Sequence, residues 1–447
     1  MEDLSAYLLG YFAIMIAGCY IIGKNYSHSK ESFLLADRNA GLLESSLAAG
    51  FGWLAGLALF ASSGFAYNIG WVGLLYFVAP QILGMWTFAW FSNVCNRTIP
   101  DGYTISSYMK DRYGRTVSTI YQVCFLAVSI GFVSLSFTAL NIFFKFINAP
   151  DPALLTGILA AGTVLYSITG GFKVNLVSAS MQMVMALIIC AALLYVGIGN
   201  EAGWALLTAG INGKKAVTDP FDWPVLQSTI LALSLTLYTG VVMSQGYYQK
   251  SFGQQRNPNA WKSFVVGPLL FAVVPVTLGI IGMLAMGSGM AIKDPQTAHL
   301  AWLQQNLGTW ALLAFGLLTV NVAASTIDGH GNAIGSIAAH DWTKDERNSV
   351  WVSRVAIAAI GLVGYIISTY NIPLTYLTIL YAQLRVSLFF ITIMGVSTTW
   401  ISARGIVAAV LFTVPTAIYM NLNSMSLYAT LLVLFGSPLI ALGASKR

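Results

Sequence analysis

The sequence GFGWLAG, residues 50–56, interrupts an apolar stretch that runs from residue 42 to residue 66. Three glycines within seven residues disfavour a continuous helix, because glycine loses more conformational freedom on ordering than any other residue. A second apolar stretch, 224–249, is interrupted at a corresponding place by the sequence TGVVMSQG, residues 239–246. Broken helices five spans apart are typical of inverted repeats whose unwound segments bind ions and solutes. Glycine also permits close packing of membrane helices, so the interruptions alone leave both interpretations open.

The composition excludes a soluble protein. Of the 447 residues, 57% are hydrophobic and only 9% are charged, and the mean hydropathy is +0.73. Soluble domains carry about 25% charged residues, so this chain cannot cover its own surface in water. We therefore predict an all-α integral membrane protein. At about 20 apolar residues per crossing, the length allows roughly a dozen spans.

The net charge of +6 bears on topology and not on nucleic acid, because no basic run interleaved with aromatic residues occurs. The four cysteines lie in or beside apolar stretches, which indicates packing residues and neither a disulfide framework nor a zinc site. The expected partners are the lipid bilayer and a small-molecule substrate, with no nucleic acid.

Polar, glycine and proline residues divide the chain into thirteen apolar segments, which predict about 13 transmembrane helices in a single transmembrane domain, 1–447. The segments are 4–24, 42–66, 70–96, 118–147, 153–170, 174–199, 224–249, 262–288, 308–340, 350–370, 373–396, 402–421 and 424–443.

Lysine and arginine are distributed unevenly over the connections between these segments. If the N-terminus is outside, the inner connections and the C-terminus carry 17 of them and the outer connections carry 4. Cytoplasmic loops hold the excess of these residues in membrane proteins. We therefore predict a multi-pass protein of the cell inner (plasma) membrane, with the N-terminus outside and the C-terminus cytoplasmic.

Four short stretches, in a fixed order along the chain, carry a resemblance to a known family. They are FLLADR at 33–38, YSITGGFK at 166–173 followed by MQ at 181–182, QGYYQK at 245–250, and STID at 325–328 followed by Asp341. In their order and spacing they resemble the signature stretches of the sodium:solute symporter family, which has the LeuT-type fold of the APC superfamily.

The resemblance implies two inverted repeats of five helices, 42–199 and 224–396, with an extra N-terminal helix, 4–24, and two C-terminal helices, 402–443. It also implies a secondary active transporter and not an enzyme. Such a protein would carry a small organic solute into the cell together with sodium by alternating access.

A sodium ion in a membrane protein needs about five oxygen donors, and a helix offers free carbonyls only where its hydrogen-bond ladder is broken. The resemblance implies carbonyl ligands from Phe51, Leu54 and Val322, and hydroxyl ligands from Ser325 and Thr326. The last three stand at i, i+3 and i+4 on one helix face. The alternative is that both hydroxyls only bond back to their own helix.

A single sodium ion is expected in each cycle. The aspartate that some family members use for a second sodium site aligns with Ala179, which stands between Ser178 and Ser180. None of these three side chains carries a charge.

Formal charges in mid-span are expensive and by default line a functional cavity. Asp328 and Arg385 are the charges of this kind, and His330 lies close by. Three interpretations of Asp328 stay open: it supports the sodium ligands from behind, it carries a proton, or it pairs with Arg385. The Arg385 guanidinium is expected to hold a substrate carboxylate bidentately, or to act as a gate or ion-pair partner. For His330, polar packing is favoured over a proton relay.

The solute is predicted less directly. The residues aligned with those that bind hexose in the family are Leu57, Ala58, Phe77 and Leu237, so a sugar is not expected. A small organic acid, amino acid or amide-like solute is favoured, although each aromatic candidate is also compatible with plain helix packing. The candidate substrate-binding residues are Trp53, Tyr76, Gln81, Gln122, Tyr238, Thr239, Gln383 and Arg385.

Three alternatives compete with sodium symport. One is a proton-coupled symporter on the same fold that uses Asp328 or His330. Another is a solute-sensing membrane domain, which is disfavoured because no kinase or other output module follows the last apolar segment. The third is a membrane enzyme, which is disfavoured because the four histidines show no metal-ligand spacing and no hydrolase motif occurs.

Overall fold

The computed structural model describes residues 2–24, 29–343, 345–370 and 372–445, and every regular element in these ranges is helical. The first ten helices are α1 (Glu2–Gly23), α2 (Lys30–Leu35), α3 (Leu42–Phe51), α4 (Gly56–Ile69), α5 (Trp71–Thr98), α6 (Ile105–Tyr113), α7 (Arg115–Phe146), α8 (Pro152–Ile198), α9 (Glu201–Gly210) and α10 (Trp223–Val225). The remaining ten are α11 (Leu231–Thr239), α12 (Gln245–Phe252), α13 (Ser263–Gly287), α14 (Ala298–Asn306), α15 (Thr309–Ile337), α16 (Glu346–Ser368), α17 (Leu374–Ser397), α18 (Ala403–Leu422), α19 (Ser426–Leu431) and α20 (Ser437–Ser445).

The all-α membrane fold class is confirmed, whereas the number of spans is not. Within the described residues, nine helices are long and apolar enough to cross a membrane, or ten if the bent pair α3 and α4 forms one span. The predicted count of thirteen therefore stays a prediction, as do the boundaries of the two repeats. Lys344, Lys446 and Arg447, which contribute to the predicted inner-side excess, lie outside the described residues.

The longest helix, α8, contains a break. Its 47 residues would extend about 70 Å, roughly twice the thickness of the apolar layer of a bilayer. Gly171 interrupts it with φ 56° and ψ −136°, a conformation that needs glycine. A Cβ at this position would lie 2.3 Å from the Phe33 carbonyl oxygen. The two halves coincide with the predicted segments 153–170 and 174–199.

The interruption predicted at 50–56 is present. Helix α3 ends at Phe51, α4 begins at Gly56, and their axes differ by 59°. At the start of α4, the Gly56 amide donates to Ser136 Oγ of α7 over 3.2 Å. A Cβ added to Gly56 would lie 2.3 Å from the Leu135 carbonyl oxygen, so the absence of a side chain lets α4 approach α7.

The second predicted interruption is also present, between Thr239 at the end of α11 and Gln245 at the start of α12. Every residue of α12 is buried. Its first side chain, Gln245, donates to the Tyr103 carbonyl oxygen over 3.1 Å and accepts from the Ile105 amide over 3.2 Å. The short helix is therefore fixed to the segment that connects α5 and α6.

Helix α15 is the centre of the bundle. It packs against α7, α8 and α16, and from residue 318 to residue 337 all of its residues except Gly329 are buried. A helix that is buried on all sides belongs to the core of a large helical protein. The break between α3 and α4 lies against this helix, and this contact positions the candidate site.

Candidate functional site

The break after α3 and the central helix α15 meet through a hydroxyl group. Thr326 Oγ1 lies 3.1 Å from the Leu54 carbonyl oxygen and 2.7 Å from the Val322 carbonyl oxygen. The second contact is the bond back to its own helix that the sequence left open as an alternative. The first contact joins two segments 272 residues apart, so three of the five predicted ion ligands lie in one cluster.

The other two predicted ligands flank this cluster in the chain. Ser325 is buried and its Oγ has no hydrogen-bond partner in the described structure. Phe51 is fully buried at the end of α3, and its carbonyl oxygen accepts from the Leu54 amide over 2.9 Å. An unpartnered buried hydroxyl is unfavourable unless a ligand or water satisfies it.

The donors of this cluster are neutral oxygens. Among the described residues, no group of three or more histidine, cysteine, aspartate or glutamate side chains could hold a metal ion. Carbonyl and hydroxyl oxygens suit hard cations, and a set with no direct carboxylate ligand favours a singly charged ion over a transition metal.

Asp328 is held by neutral donors and not by Arg385. Its carboxylate accepts from Asn332 Nδ2 over 2.7 Å, from Asn175 Nδ2 over 3.2 Å and from Ser178 Oγ over 3.3 Å. In the described residues no ion pair joins Asp328 to Arg385. The ion-pair alternative is therefore wrong for this structure, because amide and hydroxyl groups from α8 and α15 occupy the carboxylate.

Arg385 is fully buried on α17 and is only partly satisfied. Its Nη2 donates to the Thr236 carbonyl oxygen over 2.7 Å, whereas Nε and Nη1 have no partner in the described structure. The guanidinium carbon lies 6.0 Å from the centre of the Phe132 ring and 5.7 Å from that of Tyr381. These aromatic faces attract a cation but do not neutralise it.

His330 has the environment expected of a packed polar ring. It stacks on Phe132 with the ring centres 4.7 Å apart, and its Nδ1 lies 3.2 Å from Ser129 Oγ. Both contacts are with α7. They agree with the packing interpretation favoured by the sequence.

Trp53, inside the first break, forms the wall of a small cavity. Its Nε1 donates to Gln81 Oε1 over 2.9 Å, and its ring lies 5.4 Å from Phe132 and 5.6 Å from Tyr247. The cavity of about 10 Å³ has room for about one water molecule. Its lining includes Trp53, Leu57, Phe77, Gln81, Phe132, Leu237 and Tyr381.

Three predicted substrate residues lie on helices that border this region but bond elsewhere. Thr239 donates to the Thr236 carbonyl oxygen, and the Tyr238 hydroxyl lies 3.1 Å from Thr87 Oγ1. Gln383 donates to the Ile379 carbonyl oxygen, which leaves its buried Oε1 without a partner in the described structure.

Two predicted substrate residues are placed away from the cavity. Tyr76 donates its hydroxyl to the Pro220 carbonyl oxygen over 2.9 Å, in the segment before α10. Gln122 bonds to Asp341 and Trp342, beyond the end of α15. Gln122 precedes Phe132 by ten residues of α7, which is about 15 Å along the helix, so the two cannot share one compact site.

Lys250, the last residue of the QGYYQK stretch, is a buried charge, although it lies between the predicted segments 224–249 and 262–288 and is one of the 17 basic residues predicted on the inner side. It is only 4% exposed, and its Nζ lies 5.4 Å from the centre of the Tyr247 ring. A Cβ added to Gly52 would lie 3.3 Å from this Nζ, so the ammonium group reaches the end of α3. A cation is favourable at a helix C-terminus. The burial of Lys250 could not be predicted from the sequence, because the residue lies at the edge of an apolar segment.

Solved structures define the class of fold. A Na+-coupled sialic acid symporter, in a substrate-bound outward-open state, matches over 99% of this chain and 97% of its own, at 14% identity and a TM-score of 0.82. Mhp1, a nucleobase-cation-symport-1 family transporter in a closed conformation with bromovinylhydantoin bound, matches over 93% and 94%, at 12% identity and a TM-score of 0.60. MhsT in complex with L-phenylalanine matches over 91% and 98%, at 12% identity and a TM-score of 0.55. The predicted LeuT-type fold is confirmed, and the chain has a multi-pass membrane transporter fold.

Similarity in sequence is more limited. No protein-family profile matches the chain. It is similar to the spermidine transporter DUR31 of Candida albicans, at 24% identity over 307 aligned positions; the match covers 64% of this chain and 54% of that protein. The chain thus spans about half the length of this relative. The relatives named here include transporters and no enzyme, in agreement with the prediction that the chain is not an enzyme.

Proposed function

We propose that this protein is a sodium-coupled symporter that carries a small organic solute into the cell by alternating access. The observation that supports this most directly is the position of Thr326 Oγ1, between the Leu54 carbonyl oxygen at the helix break and the Val322 carbonyl oxygen. In this proposal one sodium ion binds Phe51, Leu54, Val322, Ser325 and Thr326. The N-terminus lies outside and the C-terminus in the cytoplasm of the plasma membrane.

The ion would act by joining two parts of the molecule. Carbonyl oxygens at the α3–α4 break and hydroxyls of α15 bind the same cation, so sodium stabilises the arrangement in which these helices are close. An ion can drive the cycle only by binding one conformation better than the other. Asp328, behind this helix face, supplies negative charge without being a direct ligand in this proposal.

The similar proteins are named for different classes of solute and do not agree on one. The relative DUR31 is named a spermidine transporter, whereas the structural neighbours are described with sialic acid, L-phenylalanine or a hydantoin. An organic acid, an amino acid or an amide-like compound suits the mostly apolar lining of the cavity beside Trp53 best. Proton coupling through Asp328 is the second candidate, since this carboxylate is completely buried.

Replacing Thr326 by alanine should raise the apparent Kd for sodium about tenfold or more, because one oxygen ligand to a cation is lost. The measurement is the melting temperature of purified protein titrated with sodium chloride, with choline chloride keeping the ionic strength constant. Because sodium that binds only the folded state stabilises it by RT ln(1 + [Na+]/Kd), the titration gives an apparent Kd for sodium, which is called the sodium midpoint below.

Thr319→Ala is the matched control. Thr319 is also buried on α15 and its hydroxyl bonds only to the Phe315 carbonyl oxygen of the same helix, over 2.9 Å. It should keep the sodium midpoint of the unmodified protein. An unchanged midpoint in Thr326→Ala would remove Thr326 from the site. Solute uptake driven by acid pH in the absence of sodium would favour proton coupling instead.

A further inference from the structure

The helical core carries more positive than negative charge. Among the buried charged side chains of the described residues, Arg38 pairs with Glu31 over 2.8 Å. The other three are Lys250, Arg385 and Asp328, so by formal charge these residues have an excess of one positive charge. The Asp328 carboxylate accepts all of its hydrogen bonds from neutral groups. A buried charge without an opposite partner is costly, and such charges mark functional cavities in membrane proteins.

Arg385 is the buried cation with the most unused hydrogen-bonding capacity. Two of its three nitrogens, Nε and Nη1, donate to nothing in the described structure, and the third donates to a neutral carbonyl oxygen. The ion pairs found in the described ranges join other residues. A guanidinium group presents its donors in a planar fork that matches a carboxylate.

Polar atoms close to Arg385 in the fold are also unpartnered. Thr236 accepts from Arg385 through its carbonyl oxygen, and its buried Oγ1 has no partner in the described residues. The hydroxyl of Tyr381, whose ring lies 5.7 Å from the guanidinium carbon, is likewise buried; it interacts with the Arg385 side chain but makes no hydrogen bond of normal geometry in the described residues. Two hydroxyls and a guanidinium with free donors form a set that suits an anion.

Two aromatic rings link this donor set to the cavity beside Trp53. Phe132 and Tyr381 line the cavity, and both rings lie within about 6 Å of the guanidinium carbon. The rest of the lining is mostly apolar, and Gln81 is already engaged by Trp53 and the Phe77 carbonyl oxygen. The cavity therefore favours an apolar body and offers little to a solute with many hydroxyl groups.

We infer that the solute is a monocarboxylate with an apolar body, whose carboxylate binds Arg385 while its body packs between Trp53, Phe132 and Tyr381. Because the cavity between these rings is only about 10 Å³ in this structure, the rings must move apart when the solute enters. This inference rests on the proposed transport function and names its substrate class. The formal charges in the core explain why the binding of sodium and the binding of the solute would be coupled. Sodium adds a second uncompensated positive charge, and the carboxylate removes one, so each ligand favours the binding of the other. A polyamine such as spermidine would increase the excess and is disfavoured.

The test is the thermal stability of the purified full-length protein with matched sets of ligands. The probes are phenylacetate and isovalerate, the amide and the primary amine of the same carbon skeleton for each, and spermidine, all in sodium chloride and again in choline chloride. At least one acid should bind about tenfold or more tightly than its amide, since it makes charge-assisted hydrogen bonds. The amines and spermidine should give no stabilisation.

Variants of Arg385 test the residue itself. Arg385→Gln should lose the preference for the acid, and Arg385→Lys should keep only part of it, because lysine lacks the planar fork. In the absence of solute, Arg385→Gln should also bind sodium about threefold or more tightly, because a like charge has been removed. A merely misfolded protein would not gain sodium affinity. The matched control is Arg354→Gln on α16, where Arg354 donates to the Ile168 carbonyl oxygen and lies outside the site.

The outcomes separate this inference from the sodium proposal. Four results would each overturn the substrate class. The first three are that acids and amides bind equally well, that amines or spermidine bind more tightly than the acids, and that neither acid binds. The fourth is that Arg385→Gln still prefers the acid. Acid preference that is as strong in choline as in sodium would support the substrate class and count against sodium coupling. Stabilisation by sodium without any preference for the acids would support sodium binding and count against the proposed substrate class.

Discussion

A single methyl group added at Gly56 is expected to destabilise the folded protein by about 3 kcal/mol. The new Cβ would lie 2.3 Å from the Leu135 carbonyl oxygen and 2.5 Å from Ala139 Cβ, both on α7. Because one of these is a backbone atom within a helix, the clash is relieved only if α4 moves away from α7. Overpacking of a well-packed core typically costs about 1–3 kcal/mol. We therefore expect Gly56→Ala to lower the melting temperature and the yield of monodisperse protein.

The matched control is Gly18→Ala on α1, where an added Cβ would meet nothing within 4 Å. This variant should be as stable as the unmodified protein or slightly more stable, because alanine favours a helix more than glycine does. Gly56→Ala should also weaken stabilisation by sodium, because Gly56 is two residues from Leu54 and the shift moves its carbonyl oxygen. A normal melting temperature and sodium midpoint in Gly56→Ala would contradict the close approach of α4 to α7.

Local sequence features predicted the parts of the structure that depend on neighbouring residues. The glycines at 50, 52 and 56 marked the first break, since a helix cannot easily pass through them. The spacing of Val322, Ser325 and Thr326 predicted that they share one helix face, and all three lie in the helix α15. Both features follow from backbone geometry over a few residues and need no knowledge of the tertiary structure.

Contacts between distant segments could not be predicted in the same way. The donors to Asp328 from α8, Asn175 and Ser178, are about 150 residues away in the chain, and nothing local identified them. Only Asn332, one helical turn after Asp328, had a readable spacing. The intramembrane position of Asp328 predicted that it needed partners, but the sequence could not show that Arg385 is not among them.

Two further residues lie at a different depth in the helix bundle from the one that the sequence predicts. Gln122 is one of the candidate substrate-binding residues predicted from the sequence, yet its position along α7 places it with Asp341 and Trp342. Lys250 was expected at an aqueous end, yet α12 is short and completely buried. A segment boundary read from hydropathy does not give the depth at which a residue lies, which depends on how each helix is tilted and broken.

The second prediction with a large expected effect concerns the charge of Asp328. Asp328→Asn preserves the size of the side chain but leaves Lys250 and Arg385 without a buried anion among the residues that the structure describes. The excess positive charge rises from one to two. We expect the sodium midpoint, measured by thermal stability without solute, to increase about tenfold or more. Asp151→Asn is the control, because Asp151 is exposed at the start of α8 and asparagine caps a helix equally well.

A double variant distinguishes charge from lost hydrogen bonds. In Asp328→Asn/Arg385→Gln, the core again has an excess of one positive charge, now from Lys250 alone. If charge governs sodium binding, the double variant should recover most of the affinity lost in Asp328→Asn, although the two residues form no ion pair. Such non-additivity is the signature of coupled sites in a double-mutant cycle. If Asp328 acts only by positioning α15 through Asn175, Ser178 and Asn332, the double variant should bind sodium as weakly as Asp328→Asn. Sodium and the solute carboxylate would then have no electrostatic reason to bind together.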